Sequence, residues 1–196
     1  MAEVPALARS EFILGGQPSG KTRRAELLAQ QWLAQTPQHR AVLIATAQPW
    51  DVEMRERIAR HQQDRAERVP GMRTVEEPLQ LAQAITQHST AQTLLVVDCL
   101  TLWLTNLLMP AGKLKPNHAP APTAYAQTAM LVIAIRATLG PLLLVGNEIG
   151  LGVIPMGRET RDFVDALGRL NQEVAEACER VTFMAAGLPL TLKSPP

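Results

Sequence analysis

The stretch FILGGQPSGKTRR, residues 12–24, follows a short apolar run and carries the residue spacing of a phosphate-binding loop. The pattern G-x-x-x-x-G-K-[ST] is matched in full by Gly15, Gly20, Lys21 and Thr22. A strand candidate precedes the loop and the helix-compatible segment TRRAELLAQQWLA follows it, which is the order that the pattern requires. A plain glycine-rich turn between strand and helix gives no reason for Lys-Thr at this offset.

This loop predicts a nucleotide site. Its glycines let successive backbone N–H groups turn toward phosphate oxygens, and the N-terminus of the following helix adds partial positive charge. We expect Lys21 to reach the β- and γ-phosphates and the Thr22 hydroxyl to ligate Mg²⁺.

Five apolar runs predict buried strands, because they are apolar throughout rather than alternating. They are EFIL at 11–14, AVLIAT at 41–46, TLLVVD at 93–98, PLLLVG at 141–146 and VTFMAA at 181–186. Helical periodicity lies between them; its clearest case is the row formed by Phe163, Leu167, Leu170, Val174 and Ala177. The alternation predicts an α/β fold with a mostly parallel sheet and helices on both faces.

One domain accounts for all 196 residues, 46% of which are hydrophobic. The proline-rich stretch at 110–123 is expected to be a loop inside this domain, since the strand and helix rhythm resumes after it. The segment LPLTLKSPP is compatible with one more strand, antiparallel to its neighbour, and a tail at 194–196.

The charge balance excludes a strong overall attraction to nucleic acid or to anionic membranes, because 19 Lys+Arg face 18 Asp+Glu. Cys99 and Cys178 lie in apolar contexts without a CxxC partner, which favours small core residues over a disulfide or a zinc site. No stretch approaches the roughly 20 apolar residues of a membrane span, and the first residues lack a signal-peptide pattern. We therefore expect a soluble protein in a reducing, cytoplasmic setting.

Acidic and amide side chains follow two of the predicted strands. Asp98 ends one strand and is a candidate second Mg²⁺ ligand, although an Asp here can also cap the next helix. Asn147 and Glu148 end another strand beside Gly146 and Gly150. For Glu148 a functional role and a structural role are equally compatible with the sequence, since a turn that needs positive φ would also explain the glycines.

A histidine follows the second strand on a predicted helix that begins near Asp51. His61 falls three residues after Ile58, which places it on the core-facing side or its margin, with Arg57 and Arg65 one turn away on either side. One interpretation is a partly buried histidine beside two solvated arginines. The other is a nucleophile, because a neutral imidazole can attack phosphorus while the arginines stabilise the developing charge.

Several stretches, taken in order, resemble one family. They are GGQPSGKT, IATAQPWDVEMRERIARHQQDR, RTVEEP, VVDCLTLWLTNLL and GNEIGLGVIP. The sequence is similar to the bifunctional adenosylcobinamide kinase / adenosylcobinamide-phosphate guanylyltransferase family of cobalamin biosynthesis, from residue 12 to about residue 193. This chain has Pro18 where the family usually has an arginine, and Gln62 where a basic residue is common.

The resemblance implies a RecA-type P-loop fold, a homotrimer and two activities that use ATP and GTP. A member first phosphorylates the aminopropanol hydroxyl of adenosylcobinamide and then transfers GMP from GTP to the new phosphate through a histidine–GMP intermediate, which here would form on His61. The implied nucleotide contacts are Gly15, Gly16, Gln17, Pro18, Ser19, Gly20, Lys21 and Thr22 in the loop, Ala45, Thr46 and Ala47, then Gln62, Gln63, Asp64 and Arg65, and finally Glu76 and Asp98.

Two other functions remain open on the sequence. A monofunctional P-loop kinase would have a purely structural His61. A non-catalytic nucleotide-binding switch would change conformation with nucleotide and transfer nothing.

Overall fold

The computed structural model describes residues 7–109, 121–153 and 155–195. The elements in chain order are β1 (Ser10–Gly15), α1 (Lys21–Gln35), β2 (Arg40–Ala45), α2 (Val52–Arg68), β3 (Arg73–Glu76), α3 (Leu81–His88), β4 (Thr93–Asp98), α4 (Leu100–Leu108), α5 (Ala121–Ala137), β5 (Leu142–Asn147), α6 (Arg158–Ala177), β6 (Arg180–Ala185) and β7 (Leu188–Lys193).

The strands form one sheet in the order β3-β2-β4-β5-β1-β6-β7. Every pairing from β3 to β6 is parallel, and β7 runs antiparallel to β6. The mostly parallel sheet and the additional antiparallel strand are therefore confirmed. Since β1 lies inside the sheet with a partner on each side, the loop that follows it starts from a fixed point.

Helices cover both faces of the sheet, as predicted. Alternate strand residues supply the two faces, so Phe12 packs with α3 to α6 while Ile13 packs with α1. The predicted row on α6 is also confirmed: Leu167, Leu170 and Val174 are buried in the first cluster. None of the described helices is long and apolar enough to cross a membrane.

Two details differ from the prediction. The short strand β3 was not predicted, because its four residues are mostly exposed and only Val75 is apolar. The loop at 110–123 was placed too far along the chain, since α5 begins at Ala121; a proline in a first helical turn needs no intrahelical N–H partner. The part of that loop at 110–120 lies outside the described residues. Residues 194–195 have no regular structure, in keeping with the expected tail.

A buried ionic cluster joins β1 to the neighbouring elements. Glu11 is fully buried, and its Oε1 accepts from Arg24 Nε at 2.8 Å and from the Thr182 hydroxyl at 2.8 Å. Arg180 Nη1 lies 3.6 Å from the other carboxylate oxygen. Because a buried charge is tolerated only with partners, this cluster ties α1 and β6 to the strand that carries the phosphate loop.

We expect Glu11→Gln to lower the free energy of unfolding by roughly 3 kcal/mol, since it leaves buried arginine charge without its counter-charge. Urea unfolding measures this. Asp162→Asn is the control, because its partner Arg158 is 87% exposed and the pair should contribute less than about 1 kcal/mol. Equal losses in the two variants would contradict the structural role of Glu11.

Both cysteines are buried and free, as the sequence predicted. Burial raises the pKa of Cys99 to about 12 and that of Cys178 to about 12. A thiol reacts as its thiolate, so both should be inert at neutral pH.

The raised pKa values mean that these thiols favour the folded state below about pH 9 and that this contribution to stability is lost as pH rises toward 12.

We also expect no rapid reaction of the folded protein with a disulfide reagent at pH 8, and reaction of two thiol equivalents after denaturation. Rapid labelling of native protein would contradict their burial.

Candidate functional site

The carboxyl ends of the parallel strands bring most of the predicted site residues to one edge of the sheet. In the strand register, Ala45 lies opposite both Glu76 and Asp98, and Gly15 lies opposite Asn147. Doubly wound sheets bind ligands at this edge. The strand-end residues are therefore together, as expected from the sequence.

The phosphate loop begins where β1 ends. Gly15 has φ +155°, and a Cβ there would lie 2.4 Å from the backbone oxygen of Met184, so only glycine fits. Gly187 N–H donates to Ser19 O at 3.1 Å, which anchors the loop to the turn between β6 and β7. Pro18 is exposed and follows a cis peptide bond. It gives the loop no N–H, so backbone donors to a phosphate must come from its neighbours.

Lys21 lies within the loop and not in solvent. Only 8% of this residue is exposed, and its Nζ donates to Gly16 O at 2.5 Å and to Ser19 Oγ at 3.4 Å. Burial lowers the pKa of the Lys21 ammonium, and the nearby Asp98 carboxylate opposes this shift. The ammonium is thus held by weak neutral acceptors that an anionic phosphate would replace favourably.

Thr22 and Asp98 meet at the start of α1. The Thr22 hydroxyl donates to Asp98 Oδ2 at 3.0 Å. Two oxygens at neighbouring corners of an octahedron lie about 3.0 Å apart when each is about 2.1 Å from Mg²⁺, so the pair fits this metal. Among the described residues no cluster of three His, Cys, Asp or Glu side chains could hold a metal.

The other interpretation of Asp98, as a helix cap, is wrong. The N-cap of α4 is Cys99, and no side chain caps this helix. Asp98 is the last residue of β4. Its carboxylate accepts from Thr22, which lies in the first turn of α1, directly after the phosphate loop.

Thr46 has a structural task at the end of β2. Its hydroxyl donates to Cys99 O at 2.7 Å and accepts from Cys99 N at 2.9 Å, and its own carbonyl accepts from Asn106 Nδ2 at 2.8 Å. The hydroxyl therefore has a donor and an acceptor already. The Ala45 carbonyl also has a partner, since it accepts from Glu77 N at 2.9 Å.

Glu148 is fixed beside the phosphate loop. Its N–H donates to Gly15 O at 3.2 Å, and its carboxylate accepts from Gly150 N at 3.0 Å and from Asn171 Nδ2 at 3.3 Å. Asn171 also donates to Asn147 O at 3.1 Å. The Asn171 side chain of α6 thereby holds the Glu148 carboxylate, while the Glu148 backbone contacts the start of the loop.

Positive φ does not explain Gly146 and Gly150, the glycines that flank Asn147 and Glu148. Among the described residues the glycines with positive φ are Gly15, Gly20, Gly71 and Gly187. At Gly146 the reason is packing, because a Cβ would lie 2.8 Å from the Phe12 ring.

Helix α2 begins as predicted, with Asp51 as its N-cap. Of the two positions that the sequence allowed for His61, the core-facing side and its margin, the structure shows the margin: His61 is exposed, and the buried residue of this helix is Arg65. The apolar row that suggested a core face is only half-buried at Met54 and Ile58. The helix lies on the phosphate loop and α1 through polar side chains, so hydrophobic periodicity misplaced its buried face.

Two arginines of α2 reach the phosphate site. With the Gln17 amide oriented so that its oxygen faces the guanidinium, Arg57 donates to this side chain of the loop. Arg57 is also close enough to Lys21 to lower the pKa of that ammonium. Burial lowers the pKa of Arg65, and the charges of Asp98 and Glu26 oppose this shift. A guanidinium stays protonated in any case.

His61 lies between these arginines on the same stripe. Because an α-helix turns about 100° per residue, positions four apart differ by about 40°. Arg57, His61 and Arg65 therefore span about 80° of the helix surface, with His61 in the middle. His61 itself is exposed.

The other nucleotide contacts predicted on α2, at Gln62, Gln63 and Asp64, lie on different sides of the helix. Asp64 is half-buried near the stripe and pairs with Arg68 at 3.2 Å. Gln62 is exposed at about 100° from His61, and Gln63 is exposed at about 200°, on the side away from the stripe. These positions remain predictions as nucleotide contacts.

Glu26 was missed by the sequence analysis. This carboxylate on α1 is 4% exposed and lies 3.3 Å from Arg68, and its charge also acts on Arg65. Gln30 of the same helix donates to Arg68 O. The sequence feature that could have indicated this role is an acidic residue directly beside Ala25, on the buried face of α1.

The sequence matches the family described as cobinamide kinase / cobinamide phosphate guanyltransferase over residues 11–192. It is 45% identical over 187 residues to the bifunctional adenosylcobalamin biosynthesis protein CobP of Pseudomonas aeruginosa, covering 95% of this chain and 98% of the relative. It is 33% identical over 187 residues to the bifunctional adenosylcobalamin biosynthesis protein CobU of Escherichia coli, covering 93% and 98%.

A solved structure from Pyrococcus horikoshii OT3 has the same overall fold, with a TM-score of 0.54, 9% identity and coverage of 96% of this chain and 87% of that one. At this identity the likeness concerns the fold alone. The family rests on the sequence matches, which span nearly the whole chain. The chain belongs to the cobinamide kinase / cobinamide phosphate guanyltransferase family.

Proposed function

We propose that this protein carries out two consecutive transfers on one substrate. It phosphorylates the aminopropanol hydroxyl of adenosylcobinamide, with ATP or GTP as donor, and then joins GMP from GTP to the new phosphate. The family and the bifunctional relatives support this assignment. The observation that carries it is the Arg57–His61–Arg65 stripe, held against the phosphate loop through Gln17.

In the first transfer the substrate hydroxyl attacks the γ-phosphorus. The new O–P bond forms as the bond to the β-phosphate oxygen breaks, and a nucleoside diphosphate leaves. Lys21 and the loop N–H groups hold the phosphates. Glu148 is the better placed of the two candidate bases for the hydroxyl proton, because Asp98 is engaged with Thr22.

Thr22 and Asp98 would hold Mg²⁺ at this step, since their oxygens have the spacing of neighbouring ligands. Bound there, the metal would neutralise charge on the β- and γ-phosphates. Lys21 supplies fixed positive charge on the same side of the loop.

In the second transfer a ring nitrogen of neutral His61 attacks the α-phosphorus of GTP. An N–P bond forms and pyrophosphate leaves; a phosphate oxygen of adenosylcobinamide phosphate then displaces the histidine, giving adenosylcobinamide-GDP. Arg57 and Arg65 stabilise charge on the phosphoryl oxygens in both steps, the formation of the N–P bond and its later displacement.

The remaining nucleotide contacts belong to the same proposal. Ala45, Ala47 and Glu76 line the edge next to Asp98 and are suited to the nucleoside end of GTP. We also propose the homotrimer that the family resemblance implies.

Incubation with α-labelled GTP and Mg²⁺ should label the wild-type protein with one acid-labile GMP, and His61→Asn should carry none while still phosphorylating adenosylcobinamide. His88→Asn is the matched control, because α3 runs from the carboxyl edge to the opposite edge of the sheet and His88 is its last residue. Equal labelling of His61→Asn and wild type would exclude His61 as the nucleophile. Phosphorylation without any protein label would favour a monofunctional kinase.

We expect Glu26→Gln to slow formation of the protein–GMP adduct by roughly tenfold or more, because the charged contacts that hold α2 on α1 are lost. The kinase step should change much less, since the hydrogen bonds of Lys21 and the Thr22–Asp98 hydrogen bond are made without any residue of α2. Single-turnover labelling and the kinase rate measure the two effects in the same preparation.

Arg23→Gln is the control for this experiment. Arg23 also lies near Glu26, at 3.8 Å, but it belongs to α1 and is half exposed. A parallel loss of both activities in Glu26→Gln would show a general structural role instead of a positioning role.

A further inference from the structure

A cavity opens beside the phosphate loop. It has a volume of about 770 Å³ and lies between the outer face of α6 and residues that follow β5, namely Ile149, Gly150, Gly152, Val153 and Pro155. Ile149, the first residue on its wall, directly follows Glu148, whose N–H donates to Gly15 O. The cavity therefore begins one residue from the backbone contact with the phosphate loop. Its volume is in the upper part of the range of ligand pockets.

Gly168 in this cavity lacks a structural reason. It lies inside α6, where glycine destabilises a helix relative to alanine. Its φ is not positive, and a Cβ placed on it would have no atom within 4 Å. Neither backbone conformation nor packing within the chain requires glycine here. A glycine at such a point fits the close approach of a ligand.

The walls combine apolar surface with hydrogen-bonding groups of both kinds. Ile149 is 39% exposed and Val153 is 96% exposed, while Arg158 offers donors and Asp165 offers acceptors. Arg161 donates to Pro155 O at 3.1 Å and so holds the wall in place. Such walls suit a broad ligand with apolar faces and a rim of neutral amides, since each amide needs both a donor and an acceptor.

We propose that this cavity docks the corrin ring of adenosylcobinamide, with one face of the macrocycle against Gly168. This rests on the function proposed above. A corrin ring has apolar faces and carries amide side chains around its rim, which matches the walls. Asn171, three residues after Gly168 and therefore about 4.5 Å farther along the helix axis, binds the Glu148 carboxylate at 3.3 Å. The docked ring thus lies next to the residue placed to receive the hydroxyl proton.

Gly168→Leu tests the proposal, because leucine favours the helix, a Cβ at this position has no atom within 4 Å, and the larger side chain takes up space in the cavity that Gly168 lines. We expect the KM for adenosylcobinamide in the kinase reaction to rise about tenfold or more, with the KM for the nucleotide and the labelling of His61 by α-labelled GTP unchanged. Gly168→Ala should give an intermediate rise. Glu173→Leu, on an exposed part of α6 outside the cavity, should leave all three quantities unchanged.

The outcomes separate the two proposals. If wild type phosphorylates adenosylcobinamide and Gly168→Leu does so with the same KM, the docking site is wrong while the function stands. If wild type neither phosphorylates adenosylcobinamide nor accepts GMP, the proposed function itself fails. A rise in KM that comes with a changed molecular mass in sedimentation would also overturn the docking site, because the cavity would then be a contact between copies of the chain.

Discussion

The position of β1 between β5 and β6 is the constraint on which the site depends. Backbone pairing on both sides fixes Gly15 against Asn147 and Met184, so the phosphate loop leaves the sheet from a point that cannot shift. The buried Glu11 cluster fixes the same strand to α1 and β6. A phosphate loop held in this way needs little reorganisation when a nucleotide binds. Such preorganised donors and charges are the main source of electrostatic stabilisation in phosphoryl transfer.

Helix α2 is held in a different manner. Its contacts with the loop and with α1 are made by guanidinium, amide and carboxylate groups, through Arg57, Arg65 and Arg68, and its apolar residues are only half-buried. Polar contacts of this kind fix direction well but contribute less to stability than a packed apolar face. The protein thus combines a phosphate loop fixed by the sheet with a helix, the one that carries His61, whose position is set by charge.

The sequence predicted the features that local patterns encode. The β1 strand, the loop and α1 follow from a fixed spacing, and the buried strands follow from uninterrupted apolar runs. Strand β3 did not follow, because a four-residue strand at the sheet edge has almost no apolar signal. Neither did the exposure of His61 or the role of Glu26, since hydrophobic periodicity cannot identify a helix face that is buried against charged side chains.

The strand order also sets a length scale for ligands. Neighbouring strands in a sheet lie about 4.8 Å apart, and Glu76 on β3 is two strands from Asp98 on β4. The two carboxylate-bearing strand ends are therefore separated by about 10 Å, a distance set by backbone hydrogen bonds. Changes of side chain can alter what is recognised at either end, but not how far apart the ends are. A molecule that contacts both must match this distance, so the sheet selects its ligand partly by length.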